Sequence, residues 1–167
     1  MIILRIIPED LTNYKKTSMF IAMPTCTFKC EKESGVQMCQ NRELATSPKI
    51  VIKTSEIITQ YLANPLTSAV VFGGLEPFDS YRELSEFIYL LRNDYDCYDD
   101  VVIYTGYTED ECKVYIERLL EKIGWSACRN IIIKYGRYIP NQESHYDELL
   151  GVNLISDNQY AKKIIDK

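Results

Sequence analysis

The stretch that decides the fold is AVVFGGLEPFDSYRELSEFIYLL, residues 69–91. It begins with a short β-branched run, crosses a Gly-Gly turn and continues with apolar residues at helical spacing. These apolar residues share one helical face: Leu84, Phe87, Ile88 and Leu91. Ser80 and Glu83 have the spacing of a capping box, which predicts the helix start. The stretch therefore predicts a strand followed by a helix that covers a sheet.

The same alternation continues on both sides of this stretch. Short apolar, β-branched runs occur at 18–23, 69–72, 101–105 and 131–134. Thr108 and Glu111 repeat the capping-box spacing, Gly124 is a typical helix stop, and a weaker helix is predicted over 55–63. Because right-handed crossovers join alternating strands and helices into parallel sheets, we predict an α/β fold with a mainly parallel sheet. Ligand sites are then expected just after each strand.

The composition narrows the class of protein. A chain of 167 residues predicts a single domain over 1–167. The net charge of −5, from 24 acidic and 19 basic side chains, disfavours a nucleic-acid partner. The N-terminal MIILRIIPED is typical of a strand rather than a signal peptide, and no apolar run is long enough to span a bilayer. We therefore expect a cytoplasmic protein without a membrane partner.

A cysteine-rich loop, PTCTFKCEKESGVQMCQN, follows the first of these strands at residues 24–41. Cys26, Cys30 and Cys39 are separated by three and then eight residues, so their thiolates can converge from one loop. In a reducing compartment such cysteines are more often metal ligands, reactive thiols or buried residues than disulfides. A cubane iron-sulfur cluster usually takes four cysteines, so a three-cysteine site leaves one iron open to an external ligand.

The spacing alone leaves alternatives open. The three cysteines could be unligated, or they could form a zinc site with a fourth ligand. The candidates for that ligand are His145, Cys97, Cys112 and Cys128. No cysteine outside the loop has the pair spacing of a second cluster.

Two further turns follow predicted strands. The segment at 73–77 is Gly-Gly-Leu-Glu-Pro, where the glycines let the backbone pass close to a ligand. The segment at 104–107 is Tyr-Thr-Gly-Tyr and precedes the predicted cap at Thr108. Each turn by itself is common, and the combination of both with the cysteine loop is more specific.

In this combination the sequence resembles the radical S-adenosylmethionine (SAM) superfamily, and within it the activating enzymes of anaerobic ribonucleotide reductase. The resemblance extends from about Met19 to Ile165, and the C-terminal segment GVNLISDNQYAKKII contributes a characteristic Asn-Gln pair. It implies that a 4Fe-4S cluster is bound by Cys26, Cys30 and Cys39. It also implies that SAM is bound by Met38, Asn41, Gly73, Gly74, Glu76, Pro77, Tyr104, Thr105, Gly106 and Asn158.

The resemblance further implies a fold and an activity. The expected fold is a partial β/α barrel with a mainly parallel sheet. The expected activity is reductive cleavage of SAM to a 5'-deoxyadenosyl radical, with no catalytic side chain beyond the cluster and SAM. The radical would abstract a hydrogen from a glycine of a partner such as anaerobic ribonucleotide reductase. A flavodoxin or ferredoxin would supply the electron.

The chain departs from the family pattern at three places. The family's second cysteine gap is usually two residues, so Glu31–Val36 resemble an insertion in the loop. Leu75 is an extra residue in the glycine-rich turn, and DLTNYKKTSMF stands where the reductase activators often have a Gly-Pro-Gly stretch. Two alternative functions follow. One is radical SAM chemistry on a small molecule, nucleotide base or peptide, and the other is a non-catalytic metal-binding or redox-sensing module.

Overall fold

The computed structural model describes residues 1–165. Its strands are β1 (Ile2–Ile3), β2 (Arg5–Asp10), β3 (Ser18–Met23), β4 (Ile50–Val51), β5 (Ala69–Gly74), β6 (Asp100–Tyr104), β7 (Ile131–Tyr135), β8 (His145–Asp147), β9 (Val152–Leu154) and β10 (Tyr160–Lys163). Its α-helices are α1 (Lys29–Ser34), α2 (Thr54–Ala63), α3 (Tyr81–Tyr89) and α4 (Glu109–Ile123). Shorter helical turns are Arg42–Thr46, Pro77–Ser80, Leu90–Asp94 and Ser126–Cys128. The predicted domain, 1–167, ends in two residues that lie outside the described part.

The four apolar runs of the sequence form the centre of a six-stranded sheet in the order β10-β7-β6-β5-β3-β2. The pairs β3–β5, β5–β6 and β6–β7 are parallel, as predicted. Each of these strands is almost entirely buried, which explains why its sequence is apolar without alternation.

The edges of the sheet correct the predicted fold class. The α/β class is right, but the partial β/α barrel with a mainly parallel sheet is wrong. Strand β2 pairs antiparallel with β3 at one edge, and β10 pairs antiparallel with β7 at the other. The result is a mixed sheet of six strands. The edge strands are only half-buried. Strand β2 lies within the predicted N-terminal strand MIILRIIPED, whereas the sequence of β10 has no apolar run.

The two faces of this sheet have different covers. Helices α2, α3 and α4 pack on one face against residues such as Ile21, Phe72 and Ile103. The other face packs against loops and the β8–β9 hairpin, through residues such as Tyr14, Leu150 and Leu154. Within residues 1–165, the second cluster includes no residue of α2, α3 or α4. We call these faces the helix-covered face and the helix-free face.

The helix signals in the sequence had mixed outcomes. The capping box of α4 is confirmed, because the Thr108 hydroxyl accepts from the Glu111 N–H and the Glu111 carboxylate accepts from the Thr108 N–H. Gly124 ends this helix, as predicted. The capping box at Ser80 and Glu83 is wrong, because a 3-10 turn runs into α3 and the Ser80 side chain makes no capping hydrogen bond.

Helix length also bears on membrane insertion. Among residues 1–165, no helix has both the length and the apolar character needed to cross a membrane.

Candidate metal centre

The carboxyl ends of the central strands border one cavity of about 530 Å³ on the helix-free face. Eleven of the thirteen predicted site residues line it: Cys26, Cys30, Met38, Cys39, Asn41, Gly73, Gly74, Glu76, Tyr104, Thr105 and Gly106. Pro77 and Asn158 are not in its lining. Parallel strands explain this convergence, because loops that follow neighbouring strands emerge at the same sheet edge.

The three loop cysteines are half-buried free thiols at one end of the cavity. Burial raises the pKa of the Cys26 thiol to about 11, although a 3.2 Å hydrogen bond from the Phe28 N–H acts in the opposite direction. Burial also raises the pKa of Cys30, and the neighbouring Cys39 adds to that effect. In the metal-free protein the Cys26 and Cys30 thiols are therefore mostly protonated at neutral pH, and a metal would release their protons on binding.

The cavity lining provides three thiols as possible metal ligands. Within residues 1–165, no group of three His, Cys, Asp or Glu side chains is close enough to hold one metal ion. A cubane binds each cysteine through a different iron, so its ligands must stand further apart than those of one ion. In the described chain, the cavity lining contains three cysteines, no other cysteine and no histidine. Three sulfur ligands and one open iron are therefore compatible with this cavity.

The alternative zinc ligands lie elsewhere. Cys112 and Cys128 are buried in the core of the helix-covered face, and Cys97 packs against that core. His145 begins β8 and does not line the cavity. The structure therefore gives no support to a zinc site completed by one of these residues.

Hydrogen bonds tie the cysteine loop to the strand ends. The Asn41 side-chain amide donates to the Gly74 carbonyl oxygen at 2.8 Å, which links the end of the loop to the glycine turn. The Thr27 N–H donates to Asp79 at 2.6 Å, and Tyr107 donates to the same carboxylate. The loop is thus fixed to the turns after β5 and β6.

Glu76 joins those two turns. Its carboxylate accepts from the Thr105 hydroxyl at 2.7 Å, the Gly106 N–H at 2.9 Å and the Phe78 N–H at 3.1 Å. Burial raises the pKa of this carboxyl to about 7, and the three hydrogen bonds partly offset the rise. These bonds brace the two turns, and the role of Glu76 in binding SAM stays a prediction.

The glycine turn depends on its lack of side chains. Gly74 has φ of 81°, and a Cβ at Gly74 would lie 3.0 Å from the Cβ of Ala22. A Cβ at Gly73 would lie 2.9 Å from the Phe20 ring. Glycine is therefore required here for packing as well as for backbone conformation.

Three predicted cofactor residues have structural contacts. Pro77 is buried in the 3-10 turn before α3. The Tyr104 hydroxyl lines the cavity but donates to the Asn13 carbonyl oxygen at 2.5 Å. Asn158 is not in the cavity lining, but its side-chain amide donates at 3.0 Å to the carbonyl oxygen of Arg137, which is. Their roles in binding SAM stay predictions.

Sequence reasoning missed the three basic residues of the cavity lining, Arg5, Lys134 and Arg137. Lys134, at the end of β7, is buried and donates to the Gly136 carbonyl oxygen at 2.9 Å. Burial lowers the pKa of this ammonium to about 8, and the nearby Glu76 opposes the shift. Arg137 follows on the same loop. The signal was available, because Lys134 ends the fourth apolar run and Arg137 comes shortly after it, just as the predicted turns come after the other three runs.

Comparison with known proteins gives one finding about the metal. A family model described as a 4Fe-4S single cluster domain matches residues 15–152. This range includes the cysteine loop and the turns after β5 and β6, and it ends before Asn158. No curated protein and no solved structure matches the chain. The family match confirms the expectation of an iron-sulfur protein.

Proposed function

The chain belongs to the 4Fe-4S single cluster domain family, and we propose that it is a radical SAM enzyme that acts on a glycyl-radical partner. One observation carries the proposal: three cysteines of one loop share a cavity with the turns after three parallel strands. Cys26, Cys30 and Cys39 would hold the cluster. When bound, the reduced cluster supplies the electron that cleaves SAM to methionine and a 5'-deoxyadenosyl radical.

The cavity offers matching chemistry for the charged end of SAM. Lys134 is buried in the lining and has a pKa of about 8, so its side chain is mostly protonated at neutral pH. A buried ammonium can pair with the carboxylate of an amino acid. We assign that role to Lys134, while the Gly73–Gly74 backbone lets the ligand approach the strand ends.

The opening of the cavity supports a large partner. Its rim includes the exposed residues Thr12, Asn41, Asn153 and Ile155. A reactive radical needs protection from water, and within residues 1–165 none of α2, α3 and α4 packs on this face. Docking of a protein would close the rim. A glycine-bearing loop of an enzyme such as anaerobic ribonucleotide reductase is the proposed substrate, and a flavodoxin or ferredoxin is the proposed electron donor.

The test is anaerobic reconstitution with iron and sulfide, followed by reduction and addition of SAM. We expect 5'-deoxyadenosine by mass spectrometry and a changed electron paramagnetic resonance (EPR) spectrum of the cluster. With the partner, a glycyl radical signal should appear. The Lys134→Met variant should retain the cluster and bind SAM more weakly.

The outcomes separate the alternatives. Turnover of a small molecule without a protein partner would replace the glycyl-radical assignment. If the EPR spectrum of the cluster does not change when SAM is added and no 5'-deoxyadenosine forms, only the metal-binding or redox-sensing module remains.

A further inference from the structure

The residues that resemble an insertion, Glu31–Val36, have a defined structure. They continue helix α1, and Gly35 then adopts a left-handed conformation with φ of 70° while its N–H donates to the Glu31 carbonyl oxygen at 2.9 Å. Helix α1 therefore ends at Ser34, and the chain changes direction at Gly35. The longer gap between Cys30 and Cys39 is therefore folded back on itself.

One side chain of this segment connects both of its ends. Glu31 directly follows Cys30, and its Oε1 accepts from the Cys39 N–H at 3.2 Å. Its other oxygen pairs with Arg42, three residues after Cys39. The Glu31 side chain is only 10% exposed, so these contacts are not those of a loose surface carboxylate.

Arg42 extends the connection to the first cysteine. Its guanidinium lies over the Phe28 ring, 5.4 Å from the ring centroid. The Phe28 N–H in turn donates to the Cys26 sulfur. Three residues therefore each lie within three positions of a cluster cysteine: Glu31, Arg42 and Phe28. Glu31 contacts Arg42, and Arg42 contacts Phe28. We call these three residues the loop clamp.

We propose that Glu31 is a positioning residue that holds Cys39 beside Cys30, so that the enlarged loop presents its three thiols as a compact set. The inference rests on the proposed cluster ligands. It gives the extra residues a function, because Glu31 is one of them and its carboxylate links the two ends of the longer loop. Hydrogen bonds to residues around a metal ligand fix its orientation, and their loss commonly costs roughly 10- to 100-fold in metal affinity.

A second acidic residue of α1 has a different contact. Glu33 pairs with Arg137 at 2.9 Å, and its side chain is 59% exposed. That pair fastens α1 to the loop after β7 and does not touch Cys39. An exposed pair of this kind contributes little. The Cys30–Cys39 arrangement should therefore depend on Glu31 and hardly on Glu33.

The first measurement uses the metal-free protein. Dibromobimane bridges neighbouring thiols, and the Cys30–Cys39 bridged peptide can be quantified by mass spectrometry. We expect its yield to fall by roughly threefold or more in Glu31→Ala and less in Glu31→Gln, which keeps one acceptor for the Cys39 N–H. Glu43→Gln is the matched control, since it removes an exposed carboxylate from the helical turn Arg42–Thr46 that directly follows the loop.

The second measurement uses the reconstituted protein. Cluster loss to an iron chelator should be roughly tenfold faster in Glu31→Ala than in the wild type, with Glu31→Gln between them. Glu43→Gln should match the wild type. Thermal melting of the metal-free variants should coincide, because the loop clamp lies outside both core clusters.

The two measurements keep this inference distinct from the proposed function. If the wild type binds no cluster but Glu31→Ala loses the bridged peptide, the positioning role stands and the proposed function fails. If Glu31→Ala gives the same yield of bridged peptide and the same cluster retention as the wild type, the positioning role is wrong. An equal loss of bridged peptide and of cluster retention in Glu43→Gln would overturn it too, because the effect would then follow from removing any negative charge near the loop.

Discussion

The helix-covered and helix-free faces of the sheet divide the work of the molecule. On the first, apolar residues of three helices and five strands pack into one core. On the second, a smaller core lies beside a cavity that contains thiols and buried charged groups. A close-packed interior has no room for a ligand. The difference indicates that folding stability comes mainly from one face and binding chemistry from the other.

The largest expected effect compares one cysteine from each face. Cys30→Ala should abolish nearly all cluster binding, because it removes one of the three proposed sulfur ligands, while the stability of the metal-free protein changes by less than about 1 kcal/mol. Cys112→Ala should keep the cluster and cost about 1 kcal/mol, because Cys112 is fully buried in the core. Iron content and urea denaturation check both.

Equal iron loss in the two variants would contradict the division of roles between the two faces. It would mean that the core cysteine takes part in the metal site, and that the division between the faces is not functional.

The next effect concerns the core alone. Phe72 is fully buried on the helix-covered face and packs edge-to-face on Phe87 at a centroid distance of 5.1 Å. Phe72→Ala should lower the free energy of unfolding by about 3–5 kcal/mol. Below its unfolding midpoint, the variant should still bind the cluster. A urea melt and an iron assay on the same sample measure the two effects, and a fully folded variant without iron would contradict the division.

The smallest effect is a pH dependence that belongs to the cavity side. Folding raises the pKa of Glu76 to about 7, so the folded state holds this proton more tightly than the unfolded state. The stabilisation is complete below the ordinary carboxyl pKa and is lost as pH rises toward 7. Between pH 5 and pH 7 the metal-free protein should lose about 1–3 kcal/mol from this group.

Glu76→Gln should flatten that part of the stability profile, whatever its effect on absolute stability. Urea denaturation of both proteins across this range measures the slopes. Parallel slopes would show that the carboxyl of Glu76 does not titrate there.

The central strands could be predicted because they are buried on both sides. A fully buried strand must be apolar along its length, so its sequence alone marks it. Strand β3 was predicted with its observed bounds, Ser18–Met23. The edge strands β2 and β10 are half-exposed, and their pairing direction depends on contacts with distant residues. That is why the partial barrel was predicted and a mixed sheet was found.

The candidate site was predictable to a similar degree. The turns after the first three apolar runs drew attention because glycines and cysteines mark them, and the structure brings these turns to one cavity. Lys134 was missed because it lies inside β7, directly after three isoleucines, whereas the prediction considered only the turns that follow strands. The contacts of Glu76 and Asn41 join residues about 30 positions apart, and no local pattern reveals such pairs.

The sequence by itself determined which segments are buried strands, where α4 begins and ends, and which thiols share a loop. These features depend on side-chain size, polarity and hydrogen bonding within a few residues. Only the tertiary structure decided the antiparallel edges, the helix-free face, the buried Lys134 and the loop clamp around Glu31. These depend on which distant groups meet when the chain collapses, and that outcome is set by the packing of the whole molecule.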